Sequence, residues 1–482
     1  MKAIPFNRAQ TATLRGFDRI AAALSLILLI SVYYLLLNLK IFGHDEVHYY
    51  HDFTFKLKEE GRWINFLLHH WLRQVPLAIH AVLFVCGSWL VLFRIAKNLT
   101  RDIGYSVVIA SVLLLSPPYI QQSLWPATLL PTTLALLALS WLADKGVSHK
   151  VIYPLGGVLL FGMMQNCYFL LPLFFLRRKE LEHKDIDKPG SYLFSHLFYW
   201  ISGAIAGALF SSVAVFIATG QVGIVPAEWR HAAPVHDLKS LARNILYVIE
   251  SFKKQAFQLW KNGSGNSPFY ISGLILLCAF RLQFWRSDFS RIIILLAVGA
   301  AFFAFSVPLA PVIQTRSLIA LSVAMLIVLL VSNQPSLRIH WLSIILLLWT
   351  GWNLSIDGRS YLSEHKTRTE SVMRKMQTVL PDHPSNYETV AIFGQMDKRY
   401  REAQIFNSPP YTRSIVFASG AKDYWDCRTS SKECDVLAHK FNLASRSINQ
   451  AIEFIGTSDN VAVILLGGGA VRYKPTDASS PR

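Results

Sequence analysis

The sequence predicts a predominantly α-helical, polytopic membrane protein with a small α/β domain at its C-terminal end. Three observations make that prediction. Of 482 residues, 52% are hydrophobic and only 16% are charged, well below the roughly 25% charge of an average soluble domain. The apolar residues gather into runs of roughly 16–26, long enough to cross a hydrocarbon core. After residue 356 those runs stop, and short β-rich stretches alternate with helical patterns.

The net charge of +17 does not indicate nucleic acid, because no nucleic-acid-binding motif accompanies it. Much of the basic excess lies in short loops between apolar runs, where the positive-inside rule places it. Membrane lipids with acidic head groups are the expected neighbours.

Residues 1–19 are polar and basic (Lys2, Arg8, Arg15) and are expected in the cytoplasm. The first span, Ile20–Leu39, is too long for a signal-peptide core and lacks a small-residue cleavage site, so it stays as an anchor. Residues 43–75 then form a first outer loop. It carries the adjacent acids Asp45 and Glu46, and then Gly61-Arg62-Trp63. Trp63, Leu67 and Trp71 recur at helical spacing, with His69, His70 and Arg73 off that face, the pattern of an interfacial helix.

Spans at Pro76–Ile95 and Ile103–Leu115 flank a basic inner loop (Arg94, Lys97, Arg101). A short outer loop, Ser116-Pro117-Pro118-Tyr119 through Pro126, leads to a fourth span ending near Ala143. Residues 151–176 lie between two basic stretches, 144–150 and 177–188, and a single crossing would put one of these outside. Pro154, Gly156, Gly157, Gly162, Gln165 and Asn166 can break the run into a re-entrant hairpin, which keeps both stretches inside. A plain span is the alternative.

Tyr192–Thr219 leads to a second outer loop, 220–268. There Leu238, Leu241, Ile245, Val248, Ile249 and Phe252 oppose Lys239, Arg243 and Lys253, which reads as another interfacial helix. Spans at 269–284, Ile292–Leu309, Leu318–Val331 and Leu342–Leu354 complete a bundle over 20–356, with Arg281, Arg286, Arg291 and Arg338 in its inner loops. The total is about nine spans plus the hairpin, which leaves residues 357–482 outside.

That last region has β-rich runs at Thr389–Gly394, Ser414–Ala418 and Val461–Leu466, with helical patterns at Glu364–Leu380 and Cys434–Ile455. Residues 474–482 read as a frayed tail. Cys86, Cys167 and Cys278 lie in apolar runs as packing residues. Cys427 and Cys434 are either free thiols or, outside the cytoplasm, a disulfide.

The chemistry-bearing residues cluster near the first outer loop. Carboxylates beside a span are either its solvated end or a site. Arg316 is either a snorkelling residue or a ligand, and Trp63 and Trp71 are either interface anchors or sugar platforms. His44, His48, His51, His69 and His70 are numerous, but no HxxxH or HxxE spacing accompanies them, so no metal site is expected there.

Asp45-Glu46 followed by Gly61-Arg62-Trp63 resembles the acidic-pair and glycine-arginine signature of phage-type, serotype-converting O-antigen glucosyltransferases, members of the GT-C class. Ser116-Pro117-Pro118-Tyr119 before the fourth span and Gln314-Thr315-Arg316 before the eighth look like the same family. So do the re-entrant segment and the large outer loops. The family's pair is commonly two aspartates; Glu46 here adds a methylene. The resemblance runs to about Leu354 and carries over no residue of the tail.

It implies an inverting transfer of a glucosyl or other hexosyl group from undecaprenyl-phosphate-glucose to a lipid-linked O-antigen repeat, modifying lipopolysaccharide. It further implies a bacterial inner-membrane location, a periplasmic C-terminus, and an upstream donor-synthesising glucosyltransferase and flippase. Asp45 is the implied base, with Glu46 orienting the acceptor. Arg62, Arg73 and Arg316 are the implied donor-phosphate ligands, and Trp63, His48 and Tyr119 the implied substrate contacts. Phosphate leaves readily, so no metal is chemically required, and a divalent cation (Mg or Mn) on the acids is left open.

The competing readings are a lipid-linked sugar flippase, an O-antigen polymerase, and a GT-C transferase acting on lipid A or protein. The spans are nearly free of charge, which disfavours transport. A polymerase does not need the acidic pair.

Overall fold

In the computed structural model the chain is mostly helical, with one four-stranded sheet. The structure describes residues 8–43, 46, 53–100, 102–176, 189–221, 223–224, 232–261, 289–328, 337–397, 400, 403–407, 409–428, 431–443 and 451–467. Two compact units divide it: Met1–Leu37 with Asp52–Ser360, and Asn38–His51 with Tyr361–Arg482. The described residues 38–43 and Glu46 group with the second unit.

The first unit is a helical bundle. Helix α1 (Arg8–Tyr33) continues as a 3-10 turn, Tyr34–Asn38. Helices α2 (Thr54–Glu60) and α3 (Trp63–Leu72) meet at Gly61. Then come α4 (Leu77–Leu99), α5 (Ile103–Leu114), α6 (Pro117–Gln122) and α7 (Pro126–Asp144). Helix α8 (His149–Phe161) leads into a 3-10 stretch, Gln165–Phe175. The unit continues with α9 (Pro189–Thr219), α10 (Leu238–Lys261), α11 (Phe289–Ser306), α12 (Ile319–Val328) and the first part of α13 (Leu337–Val379).

Among the described residues four stretches are long and apolar enough to cross a membrane: Gly16–Asn38, Leu77–Leu99, Pro126–Asp144 and Ser191–Thr219. They mark the chain as a helical membrane protein. The expected third span, Ile103–Leu115, is helix α5 to within one residue. At 1.5 Å per residue, α5 covers only about 18 Å of a roughly 30 Å core. The chain then turns at Ser116 into α6, whose Tyr119 is buried where the sequence implied an exposed loop. Residues 177–188, Arg101 and the expected span at 269–284 lie outside the described residues.

Residues 149–176 double back. Helix α8 stops at Gly162, and the 3-10 stretch returns until the Phe175 ring stands 5.9 Å from His149 and 5.4 Å from Tyr153. Glycine makes the close packing of this hairpin feasible. A Cβ on Gly203 of α9 would lie 2.5 Å from Tyr168 Oη and 2.6 Å from the Tyr153 carbonyl, so α8 and α9 touch backbone to backbone.

The second unit is a sheet of order β2-β1-β4-β3, covered on both faces. Strands β1 (Thr389–Phe393), β2 (Asp423–Asp426) and β4 (Val461–Leu466) are parallel, and β3 (Ile452–Ser458) is antiparallel to β4. Val390, Ile392, Ala462 and Ile464 face the end of α13 and the helix Pro409–Ala418, together with Ile41 from the acid-bearing segment. Ala391, Phe393, Val463 and Leu465 face the helix Lys432–Lys440 and the cysteine pair.

Several expected boundaries move. The two units divide at 360/361, close to the expected change at 357, and α13 runs unbroken through that point for 43 residues. Ser414–Ala418, which looks β-rich, closes a helix because Ile415 and Val416 bury against the sheet, and that burial outweighs local propensity. The helical pattern Cys434–Ile455 is a helix only to Lys440 and ends as strand β3. Asp459 (φ 49°) and Asn460 (φ 62°) form the left-handed turn that closes the β3–β4 hairpin.

Candidate functional site

The candidate site of the first unit is built on Arg62. Gly61 sits in the left-handed conformation (φ 67°) at the end of α2, and this turn sends the chain directly into α3. Arg62, at the start of α3, is turned inward and is only 6% exposed. Its guanidinium pairs with the Glu60 carboxylate, and Lys56 Nζ approaches the same carboxylate at 2.8 Å. All three side chains are buried. A buried ion cluster is stable only when its charges and donors are well satisfied, yet Arg62 Nε has no hydrogen-bond partner.

Three amide side chains, Asn65 and Asn166 buried and Gln165 half-buried, belong to the same unit. The side-chain amide of Asn65 donates to the Thr128 carbonyl at 3.0 Å, leaving Oδ1 unused. Gln165, where the hairpin turns, donates to the Glu60 carbonyl at 2.6 Å. Asn166 donates to the Ser317 carbonyl at 3.2 Å and also leaves its Oδ1 unpaired. Buried polar atoms without partners are costly, and a ligand bearing both anionic and hydroxyl oxygens has the groups that would satisfy them.

The Ile313–Ser317 turn is held by amides from three elements. Gln255 of α10 donates to the Ile313 carbonyl at 2.9 Å and accepts from Thr315 Oγ1 at 3.1 Å. Gln122 of α6 donates to the Arg316 carbonyl at 2.7 Å, and Asn166 takes Ser317. The Arg316 guanidinium lies over the Trp125 ring, 4.4 Å from its centroid, a cation–π arrangement rather than that of a free snorkelling cation.

The residues expected to act together fall into different places. Asp45 and His48 lie outside the described residues. Glu46 is buried, 2% exposed, in the segment that packs with the second unit. There Ile41 enters the sheet's core, and His365 Nε2 donates to the Ile41 carbonyl at 3.0 Å. Burial lowers the His365 pKa; Arg368 adds to this, while the carbonyls of Ile41 and Phe42 oppose it.

Arg73 closes α3 with its side chain exposed, away from the buried cluster. The half-buried Trp63 packs its indole against Gly162, 5.4 Å from the Phe210 ring. Trp71, 68% exposed, keeps the anchor position. Tyr119 lines a small internal cavity with Gln122, Thr132, Thr133 and Cys167. Cys427 and Cys434 are bonded, with Cα atoms 5.4 Å apart. No cluster of three or more potential metal ligands occurs among the described residues.

Sequence reading missed Lys56, Glu60, Asn65, Gln122 and Gln255 as site residues. It noted Gln165 and Asn166, but only as helix breakers. Asn65 and Asn166 stand out as amides inside apolar stretches, whereas Lys56, Glu60 and Gln255 lie in charged stretches that give no such signal. What fold and site define together is a helical membrane protein with a buried arginine and buried amides, joined to a small α/β unit. No protein-family model matches the chain, and no curated protein or solved structure is similar enough to count as a match.

Proposed function

We propose that this chain is an inverting glycosyltransferase of the bacterial inner membrane, moving a hexosyl group from a polyprenyl-phosphate sugar to a lipid-linked O-antigen repeat on the periplasmic side. The observation that carries the reading is the buried Arg62, whose Nε has no partner among the described residues; the Oδ1 atoms of buried Asn65 and Asn166 in the same unit have none either. A guanidinium so placed suits a phosphate, and amide oxygens suit sugar hydroxyls. The disulfide of the second unit supports an oxidising compartment for it.

In the proposed reaction an acceptor hydroxyl oxygen attacks the anomeric carbon, and its proton passes to Asp45. The bond from that carbon to the donor phosphate oxygen breaks, and polyprenyl phosphate leaves with both electrons. Arg62 stabilises the charge that grows on the phosphate. Glu46 orients the acceptor. Arg316, already stacked on Trp125, and Arg73, exposed at the end of α3, are secondary to Arg62. A divalent cation on the acids stays open, as in the sequence reading.

The test is mass spectrometry of O-antigen from a host expressing this chain with its donor-making partners. Wild type is compared with Asp45→Asn, Glu46→Gln and Arg62→Ala at matched membrane levels. An added hexose that disappears in Asp45→Asn and Arg62→Ala supports the reading. A hexose that persists in both overturns the assigned roles. Altered chain length without added hexose favours a polymerase.

A further inference from the structure

Helix α10 divides its circumference into three arcs. Taking about 100° per residue, Asn244, Val248, Phe252 and Gln255 share one arc, and it faces protein. Val248 and Phe252 pack with Phe303, Ile313 and Leu318; Asn244 donates to the carbonyls of Ala233 and Val307; Gln255 holds the Ile313–Ser317 turn. The adjoining arc is mostly apolar and exposed: Leu238 is 85% exposed, Leu246 67%, Ile249 45% and Ile245 40%, with exposed Lys253 between Ile249 and Leu246. The remaining arc carries Lys239, Arg243 and Lys254, all exposed, with exposed Glu250 among them. The helix sequence holds five cations (Lys239, Arg243, Lys253, Lys254, Lys261) and one acid, Glu250. The helix is also firmly started, with Asp237 Oδ1 accepting the Ser240 N–H at 2.6 Å.

We infer that α10 lies in the membrane interface, with its apolar arc in the acyl region and its cationic arc bound to anionic phospholipid head groups. An exposed apolar stripe next to a cationic stripe fits a surface that is apolar below and negatively charged above. A water-facing helix would not expose Leu238 and Leu246. A neutral-lipid or protein contact would not call for an excess of four positive charges on the same 24 residues. The inference does not depend on the transferase reading. Through Gln255 it puts the lipid-facing helix in direct hydrogen-bond contact with the turn that carries Arg316.

The experiment uses the full chain in lipid nanodiscs, with Cys86 and Cys278 replaced by Ala and bimane attached to Ile249→Cys. The bilayer is a fixed mixture of phosphatidylglycerol and phosphatidylcholine. A fixed fraction of either one lipid or the other carries an acyl-chain nitroxide quencher. The expected result is quenching in both bilayers, about twofold stronger from labelled phosphatidylglycerol. That preference should vanish in the triple variant Lys239→Gln, Arg243→Gln, Lys254→Gln while quenching persists. Equal quenching by the two lipids in the unaltered chain overturns the anionic preference. Absence of quenching overturns the membrane contact; iodide then separates a water-exposed label from one covered by protein.

Discussion

The glycine contact between α8 and α9 can be tested by Gly203→Ala, whose effect follows from distances. The new methyl lies 2.6 Å from the Tyr153 carbonyl oxygen and 2.5 Å from Tyr168 Oη, whereas ordinary contact begins near 3.4 Å. The Tyr153 carbonyl is helix backbone and cannot rotate aside, so the helices must part by most of an ångström. Tyr168 can swing away only by giving up its 2.6 Å hydrogen bond to the Trp200 carbonyl. Overpacking costs about 1–3 kcal/mol and the lost bond about 1 kcal/mol. Alanine's helix preference returns up to about 1 kcal/mol. The net expectation is about 1–3 kcal/mol of destabilisation, read as a fall of several degrees in thermal stability in detergent by fluorescence-detected size exclusion. Gly16→Ala, where a Cβ meets nothing within 4 Å, should be neutral or slightly stabilising. Adding Tyr168→Phe to Gly203→Ala should restore part of the loss. If Gly203→Ala matches wild type and Gly16→Ala, the helices do not pack as described.

Arg62→Lys should keep the fold but cut hexose transfer at least tenfold, because an ammonium cannot pair with Glu60 and bind a phosphate in one planar geometry; O-antigen mass spectrometry checks it. Gly61→Ala should cost roughly 1 kcal/mol, since φ 67° disfavours a side chain and its methyl meets Ile224 Cδ1 at 2.5 Å; thermal stability checks it. Reducing Cys427–Cys434 opens a short loop and should destabilise the second unit by about 2–3 kcal/mol, seen as faster proteolysis of that unit. The folded His365 pKa lies below the ordinary imidazole value because of burial. Its contribution is therefore present above the unfolded pKa near 6.5 and is lost as pH falls toward the depressed folded value. Limited proteolysis should show the second unit loosening below about pH 6.5, with a smaller pH response in His365→Gln.

The helical bundle was legible because span-length hydropathy is a local, summed signal, and Gly16–Asn38, Leu77–Leu99, Pro126–Asp144 and Ser191–Thr219 all announce themselves that way. The fold-back at Gly162 was legible from helix breakers combined with loop charge. In the second unit, local pattern failed where tertiary burial decided. Ser414–Ala418 and Ile452–Ser458 have similar composition, yet one lies against a sheet as helix and the other joins the sheet as strand. Of the candidate site, Arg62 stands out in the sequence as a residue type. The amide contacts were not legible, because Asn65, Gln122, Gln165 and Asn166 come from separate stretches, and their partners are backbone carbonyls that no side-chain pattern encodes.

The assignment of Asn38–His51 to the C-terminal unit changes how the acidic pair must be understood. Read along the sequence, Asp45 and Glu46 belong to a loop hung between two membrane helices, where loop-closure entropy alone would leave them wandering. In the structure the segment has a buried side chain, Ile41, in the core of the α/β unit, and a hydrogen bond from His365 to the Ile41 carbonyl. Glu46 itself is buried, and its N–H donates to the Gly43 carbonyl at 3.1 Å, a turn that sets the local path of the chain. A carboxylate is buried only at a cost that fixed surroundings can offset. The α/β unit holds the segment at Ile41, so its stability and the path of the chain leading to Glu46 are linked. Under the transferase reading this gives the tail a role that sequence alone did not suggest: it is the scaffold for the acid-bearing loop. Loosening the disulfide or the His365 contact should therefore lower transfer before it lowers the amount of folded bundle in the membrane.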